Sequence, residues 1–498
     1  MLRNYPVLLK KVVLLSLILG VALGLRLYRL GEENFWIDEV AFVQDASGSP
    51  REILSYSTST QKTLRRLAPL PHLVTHFLLS TGSAETTARL PSAVFGALEV
   101  LVLFILGTQL FSFRVGVLAA FLLALSPLHL WYSHEARWYA QWSFMTSCSY
   151  LALLHLSKNS RPTSWIYYGL TTVLNVYTFI YSGIVIALQT LGVWFSRGVR
   201  EESRRFLLKF FALQALVAGC ALPILWLTLH RLDKTSGTPR WVGFGDLPYT
   251  FFTYAAGFSA GPTLAELHAL PSVRNVIATY PIVVVFFVVY VSAIILGLRK
   301  VIASRLAAGL LLPWLFGLPL LVFLIACVTN LTYQVRYTLP SLSAFVLVIS
   351  CGVLSMQSKT AKVALISAIL LCSLFSVTNF YWNTRYDKEH VRAALARIMA
   401  VDAGKSPILS IGQIGGAAKY YGNGLDIFSP PDERCDVTAT EDLINAKSLN
   451  GSERIWVIAG RDWNHRITAC LVELTRSYSI LDHERFTGTD LWLLKRRE

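Results

Sequence analysis

The sequence predicts an α-helical polytopic membrane protein of about 11–13 spans, followed by a small C-terminal α/β domain outside the membrane. Three observations predict it. Hydrophobic residues make up 54% of the chain and charged residues only 15%, whereas a soluble domain carries about 25% charged residues. Apolar runs of helical length recur from the N-terminus to about residue 380. Beyond about residue 383 these runs stop, and short β-type stretches alternate with amphipathic helices. The expected division is a transmembrane domain over residues 1–383 and an extracytoplasmic α/β domain over 384–498.

Eleven apolar runs fall at 12–30, 91–111, 115–131, 143–157, 163–178, 180–196, 206–229, 276–298, 306–328, 337–356 and 361–380. Several are short, as suits helices that pack on one another more than on lipid. The first follows Arg3, Lys10 and Lys11. No small-residue cleavage site follows it, so it reads as an uncleaved span and not a signal peptide. The net charge of +15 lies mostly in short loops between apolar runs, the pattern of cytoplasmic loops and not of a nucleic-acid surface. Arg114, the Lys158/Arg161 pair, the stretch Arg197–Lys209, the Arg299/Lys300/Arg305 group and the Lys359/Lys362 pair mark inside loops. Segments 31–90, 132–142, 230–275 and 329–336 and the tail then lie outside, as eleven spans with an inside N-terminus require. Residues 67–82 read as a re-entrant or interfacial helix, or else as a true span with a neighbouring boundary displaced.

In the tail, Asp387–Ala400 has helical periodicity, Pro407–Ile411 and Ile455–Ala459 are strand-like, and Ile467–Tyr478 is a second amphipathic helix. Cys435 and Cys470 lie there and are free to pair if the tail is exported; sequence cannot supply the geometry. The other five cysteines sit in apolar segments as core filler.

Residues suited to chemistry cluster in the outer segments. Asp38 and Glu39 follow Phe35 and Trp36 just beyond the first run. Aromatic residues anchor an interface, and carboxylates at that depth need a partner or a task. One of them can serve as general base for an acceptor hydroxyl; the alternative is an ordinary solvated loop start. In the stretch Ser126 to Tyr139, a helical reading puts Glu135 and Tyr139 on one face, with Tyr132 one turn before. Arg137 suits a phosphate because its planar fork matches phosphate oxygens; the alternative is a Glu/Arg pair that anchors two helices. Arg336, in an outer segment and against the positive-inside trend, suits an anionic partner or snorkels to the interface. Arg89 before Leu90-Pro91 is a weaker case of the same kind.

His72 and His76 have the i, i+4 spacing of a helical metal pair. With no third ligand evident a structural role is favoured and no metal site is assigned. No motif demands a cofactor, and a divalent metal stays open as an aid to catalysis. Walker, dinucleotide, zinc and nucleophile-elbow signatures are absent from the sequence. A donor would then arrive through the membrane or from outside, not as a cytosolic nucleotide sugar.

At these residues the chain resembles the GT-C-fold membrane glycosyltransferases, in particular the superfamily of protein O-mannosyltransferases and lipid A aminoarabinose transferases. The resemblance rests on Asp38-Glu39, on Arg89-Leu90-Pro91-Ser92-Ala93, on Ser126-Pro127 with Tyr132-Ser133-His134-Glu135-Ala136-Arg137-Trp138-Tyr139, and on Arg336-Tyr337 with Leu339-Pro340. It implies transfer of a sugar from a polyprenyl-phosphate donor to a lipid, glycan or protein acceptor at the outer face of the membrane; the compact loops and the lack of an obvious eukaryotic targeting or retention signal favour a bacterial inner membrane. It implies Asp38 in catalysis, with Glu39 assisting or holding the acceptor, and Arg137 and Arg336 on the phosphate. Arg89, Glu135 and Tyr139 complete the expected substrate-binding set. Two departures stand out: Tyr177 to Tyr181 lacks a His that many relatives carry, and His72 occupies a position often aromatic. The rival readings are a transporter or flippase of lipid-linked sugars and a non-catalytic envelope scaffold. A transporter predicts charges buried mid-span or broken helices in two related halves.

Overall fold

The computed structural model describes residues 5–55, 69–82, 84–197, 201–232, 243–263, 266–267, 273–329, 331–429, 452–461 and 467–497. The chain divides into two units. The first takes Met1–Leu30, Asp45–Gly261 and Ile277–Phe380; the second takes Gly31–Gln44, Pro262–Val276 and Tyr381–Glu498. The second unit therefore joins the tail with two segments from far earlier in the chain.

The first unit is helical. Among the described residues, Ala84–Leu110, Arg204–Trp226, Ile282–Ile302, Arg305–Val328 and Lys359–Trp382 are long and apolar enough to cross a membrane. The chain is an integral membrane protein. A sixth candidate is a bent pair, Phe113–Ala124 and Pro127–Ser133, with 58° between its halves. Ser126 causes the break: its hydroxyl accepts from the His129 N–H at 3.4 Å, and Pro127 follows at the first helical position, where a missing N–H costs nothing. Fewer helices meet the length and hydropathy requirement than the eleven apolar runs. The reason is visible in Tyr139–Lys158, where Ser143, Thr146, Ser147 and Ser149 are buried against other helices and lower the mean hydropathy. Residues 69–79 form a helix, Pro69–Leu79, of 11 residues. At about 1.5 Å per residue it falls well short of the roughly 30 Å hydrocarbon core.

Small residues let helices in this unit meet backbone to backbone, the packing that membranes favour. A Cβ on Gly297 would lie 2.1 Å from the Val348 carbonyl oxygen, and one on Gly352 would lie 2.3 Å from the Gly297 nitrogen. The helices Ile282–Ile302 and Ser341–Ser355 are joined there.

The second unit contains a five-stranded sheet of order β2-β1-β3-β5-β4. Its strands are β1 Ile408–Gly412, β2 Ile427–Phe428, β3 Arg454–Gly460, β4 Tyr478–Phe486 and β5 Thr489–Arg496. β1 runs parallel to β2 and β3, while β5 runs antiparallel to β3 and β4. The helix Val391–Asp402 precedes β1, Gly415–Tyr421 links β1 to β2, and Ile467–Ser477 leads directly into β4. Leu409, Ile411, Ile455, Val457, Leu474, Trp492 and Leu494 belong to the apolar core. The helix expected from Asp387 starts instead at Val391, because Thr384–Tyr386 forms a separate tight turn capped by Asn383. Cys470 is disulfide-bonded, and Cys435 lies outside the described residues.

Candidate functional site

Two groups of side chains carry the expected chemistry, one in each unit. In the first unit, the stretch 126–139 does not continue as one helix. Pro127–Ser133 ends at His134, and a new helix begins at Tyr139. The intervening turn is closed by the Arg137 N–H donating to the Glu135 carbonyl at 2.8 Å. The expected helical face shared by Glu135 and Tyr139 is thus replaced by a turn. The rings of Tyr132 and Tyr139 nonetheless meet edge to face at 5.4 Å.

The turn aims Arg137 at aromatic faces. Its guanidinium lies 4.0 Å from the Trp138 ring centroid and 5.6 Å from that of Tyr139, and Nη2 donates to the Tyr139 hydroxyl at 3.4 Å. Arg336 reaches the same ring from a distant part of the chain, 5.6 Å from the centroid of Tyr139 and 5.6 Å from that of Tyr337. Arg137 and Tyr139 are buried and Arg336 is half-buried. Tyr254 holds the turn that carries Arg336, its hydroxyl donating to the Thr338 carbonyl at 2.8 Å. Tyr333, two residues before that turn, shares a 2.6 Å hydrogen bond with Thr250. Burial pushes its phenol up to about 12, against a smaller opposing effect of that hydrogen bond.

Of the other expected residues in this unit, Glu135 accepts from the Trp131 indole N–H at 3.0 Å. Arg89 is buried and donates to the Leu30 carbonyl at 3.0 Å. Ser92, one turn along the same helix, donates to the Arg137 carbonyl at 3.0 Å, so the Arg89-Leu90-Pro91-Ser92 motif braces the turn. The segment Tyr177 to Tyr181 supplies Phe179, whose ring contacts Trp138, Tyr139, Trp142, Tyr181 and Tyr337. His72 and His76 face different neighbours: His72 lies 6.1 Å from the Trp138 ring, and His76 Nδ1 lies 3.0 Å from the Ala46 carbonyl oxygen. Among the described residues, no group of three or more His, Cys, Asp or Glu side chains is arranged to hold a metal ion.

In the second unit, Asp38 and Glu39 occupy the first turn of the helix Ile37–Ala46, where carboxylates complement the helix dipole. The two are not equivalent. Glu39 is wholly buried. Its Oε2 accepts from the Trp36 N–H at 3.4 Å, the reach-back of a capping box, and lies 3.3 Å from Lys388 Nζ. Asp38 is half-buried and retains access to solvent.

Sequence reading passed over a third group. Glu99, in the middle of the apolar run 91–111, has no exposed surface. Its Oε1 accepts from the hydroxyls of Ser143, Ser147 and Ser343 at 2.8, 2.7 and 2.7 Å. His129 Nε2 lies 2.9 Å from its Oε2, and His129 Nδ1 lies 2.8 Å from Arg26 Nη2. A guanidinium only donates, so Nδ1 accepts and the ring proton faces Glu99. Arg26 also donates to the Leu123 and Ala124 carbonyls at 3.3 and 3.4 Å, in the last turn before the break at Ser126. An ionisable residue inside an apolar run was itself the signal.

No protein-family model matches this chain, and no curated protein does. Solved structures do share its fold. ArnT from Cupriavidus metallidurans in the apo state superposes with a TM-score of 0.58 at 13% identity, covering 96% of this chain and 97% of that one. The same protein bound to undecaprenyl phosphate gives 0.56 at 14% identity, with 96% and 97% covered. The Archaeoglobus fulgidus oligosaccharyltransferase tethered to an acceptor peptide gives 0.58 at 12% identity, over 100% of this chain and 74% of that one. At such identities the likeness establishes the fold, GT-C, across nearly the whole chain.

Proposed function

We propose that this protein is an inverting glycosyltransferase that moves a sugar from a polyprenyl-phosphate donor to a lipid, glycan or protein acceptor at the outer face of the membrane. The observation that carries the reading is the convergence of Arg137 and Arg336 on the ring of Tyr139. Two guanidinium groups beside one aromatic ring are suited to a phosphate, which they match in geometry and charge. The fold neighbours support a lipid-phosphate donor: one ArnT structure is bound to undecaprenyl phosphate, and an archaeal oligosaccharyltransferase structure is in complex with a dolichol-phosphate. On this reading the tail lies outside a bacterial inner membrane.

The chemistry asks for two things. The acceptor oxygen attacks the anomeric carbon and must lose its proton, and Asp38 takes it as general base. The bond from that carbon to the phosphate oxygen breaks, leaving its electron pair on the polyprenyl phosphate, and Arg137 and Arg336 stabilise the developing charge. Asp38 suits the first role because it is accessible, whereas Glu39 is enclosed. Glu39 therefore assists through position and not by touching the acceptor.

The test is transfer of radiolabelled sugar from extracted polyprenyl-phosphate sugars by membranes holding matched amounts of folded protein. Asp38→Asn is expected to lower transfer by ~10²–10⁴-fold, the range for a lost general base. Arg137→Gln and Arg336→Gln should each weaken donor use, with a KM effect where the ground-state phosphate is held. Equal transfer by Asp38→Asn would remove it from the mechanism. No transfer by the intact protein across a broad set of donors would favour transport of lipid-linked sugars.

A further inference from the structure

The strand order 2-1-3 of the second unit has a defined consequence. In an open parallel sheet, ligands bind outside the carboxyl ends of the strands at the point where the order reverses, here between β1 and β3. In this unit the segment 34–37 of the same chain lies at that point. A Cβ added to Gly416, just past β1, would lie 3.2 Å from Ile37 Cγ1. Arg461, the first residue after β3, stacks its guanidinium 4.4 Å from the Trp36 ring centroid and pairs with Glu389. It holds φ at +52°, a left-handed value that non-glycine residues rarely adopt. The Phe35 N–H donates to the Tyr421 hydroxyl at 2.7 Å, and Asn34 Nδ2 donates to the Glu389 carbonyl at 3.0 Å.

At the centre of this arrangement is a buried cation. Lys388 is only 7% exposed, and its Nζ lies 3.3 Å from Glu39 Oε2 and 3.7 Å from Glu33 Oε2. A lysine buried this far needs such partners, and the carboxylate of Glu39, with no exposed surface, faces it in return. Glu33 and Glu39 bracket the loop that leads into Asp38. One ammonium thus ties both ends of that loop to the tail.

We propose that Lys388 is a positioning residue for the transfer reaction, its ammonium fixing Glu33 and Glu39 and through them the backbone that carries Asp38. The proposal rests on the glycosyltransferase reading for its effect on rate, but its structural half stands apart from it. The tail's ligand crevice serves as a clamp for the chain's own catalytic loop, not as a glycan-binding module.

Two readouts on the full-length protein test this. In sugar transfer, Lys388→Met should lower kcat at least 10-fold with donor KM changed less than about 3-fold, because the donor phosphate is held by other residues. Lys388→Arg should recover most of that loss. Lys388→Met combined with Glu39→Gln should do no worse than Lys388→Met alone, since neutralising Glu39 removes the buried charge that the ammonium faced. In hydrogen exchange, residues 31–44 should exchange at least 10-fold faster in Lys388→Met, while strands 454–460 and 489–496 keep their protection. If Lys388→Met also unfolds the strands, Glu39→Gln should still loosen residues 31–44 with the sheet intact. Wild-type kcat in Lys388→Met, or unchanged exchange of residues 31–44 in both variants, would overturn the proposal. Faster exchange with no transfer by the unaltered protein would keep the clamp and remove the enzyme reading.

Discussion

Glu99 and Glu39 are both glutamates with no exposed surface, and the two units satisfy them by different means. Glu99 lies in a helix of spanning length, and its carboxylate is surrounded by three hydroxyls and an imidazole drawn from three other helices. Glu39 lies at a helix start beside the tail, with a lysine and one backbone N–H. The difference follows from the solvent. Hydrocarbon offers a carboxylate no water at all, so each lone pair must find a protein donor, and hydroxyls on packed helices supply them. Glu39 faces a buried cation and a backbone N–H instead of a shell of hydroxyls. The first arrangement fixes a fold, and the second fixes a loop.

Breaking the Glu99 shell should have the larger effect. Glu99→Leu leaves Ser143, Ser147 and Ser343 without their acceptor and His129 and Arg26 without the opposing charge. We expect a loss of ~3–5 kcal/mol, the range for removing one partner from a buried charged group. It would be read as a large fall in the melting temperature of the detergent-solubilised protein. Glu99→Gln keeps an acceptor and should cost less, about 1–3 kcal/mol. A melting temperature unchanged in Glu99→Leu would mean that the network is dispensable and that the two glutamates differ less than their surroundings suggest.

The shell is also open to attack through space. Gly96 allows it to close: a Cβ there would lie 2.3 Å from Ser133 Oγ, 3.0 Å from Arg26 Nε and 3.2 Å from His129 Cε1. Gly96→Val should therefore cost about 1–3 kcal/mol through overpacking. In a double-mutant cycle with Glu99→Leu its cost should be partly masked. Strict additivity would separate Gly96 from the network.

The smallest effect is expected at Asp402, which is only part-buried. Asp402 is pushed up by burial, but hydrogen bonds from Ser406 and Trp456 and from the backbone N–H groups of Gly404 and Ser406 outweigh that and hold it below the usual carboxylate range. Trp456 Nε1 donates to it at 2.9 Å. With the folded value lowered, its contribution is fully present above the unfolded carboxyl range near pH ~4. It is lost as pH falls through the lower folded value. Asp402→Asn should cost ~0.5–1.5 kcal/mol at neutral pH and flatten the acid limb of a melting-temperature profile between about pH 5 and 2. An unaltered acid limb would show that other carboxylates govern it.

Part of this protein could be read directly. Short apolar runs located β1 and β3, and periodicity the helix at Ile467, each within a residue or two, because both strands are buried on both faces and the helix has one apolar face. Neither signal found β4 and β5. Their sequences, Tyr478–Phe486 and Thr489–Arg496, are broken by charged residues that the sheet turns outward, and a bulge between Ile480 and Asp482 shifts the alternation. Arg137 and Arg336 were nominated from residue type and place, and their meeting at Tyr139 was invisible. Lys388 looked like one more charge in a helix start, and Glu99 was absorbed into an apolar run.

Composition and apolar patterning alone determined that the chain lives in a membrane, since burial in hydrocarbon requires apolar surface wherever the residues end up. Residue chemistry likewise singled out carboxylates and arginines as candidate reactive groups. Tertiary structure decided which of them lie together. The turn after Ser133 brings Arg137 to the ring that Arg336 also faces, and the fold of the second unit puts Lys388 against Glu39 across 349 positions of sequence. Such pairings depend on distances between segments, and a linear pattern records only distances along one.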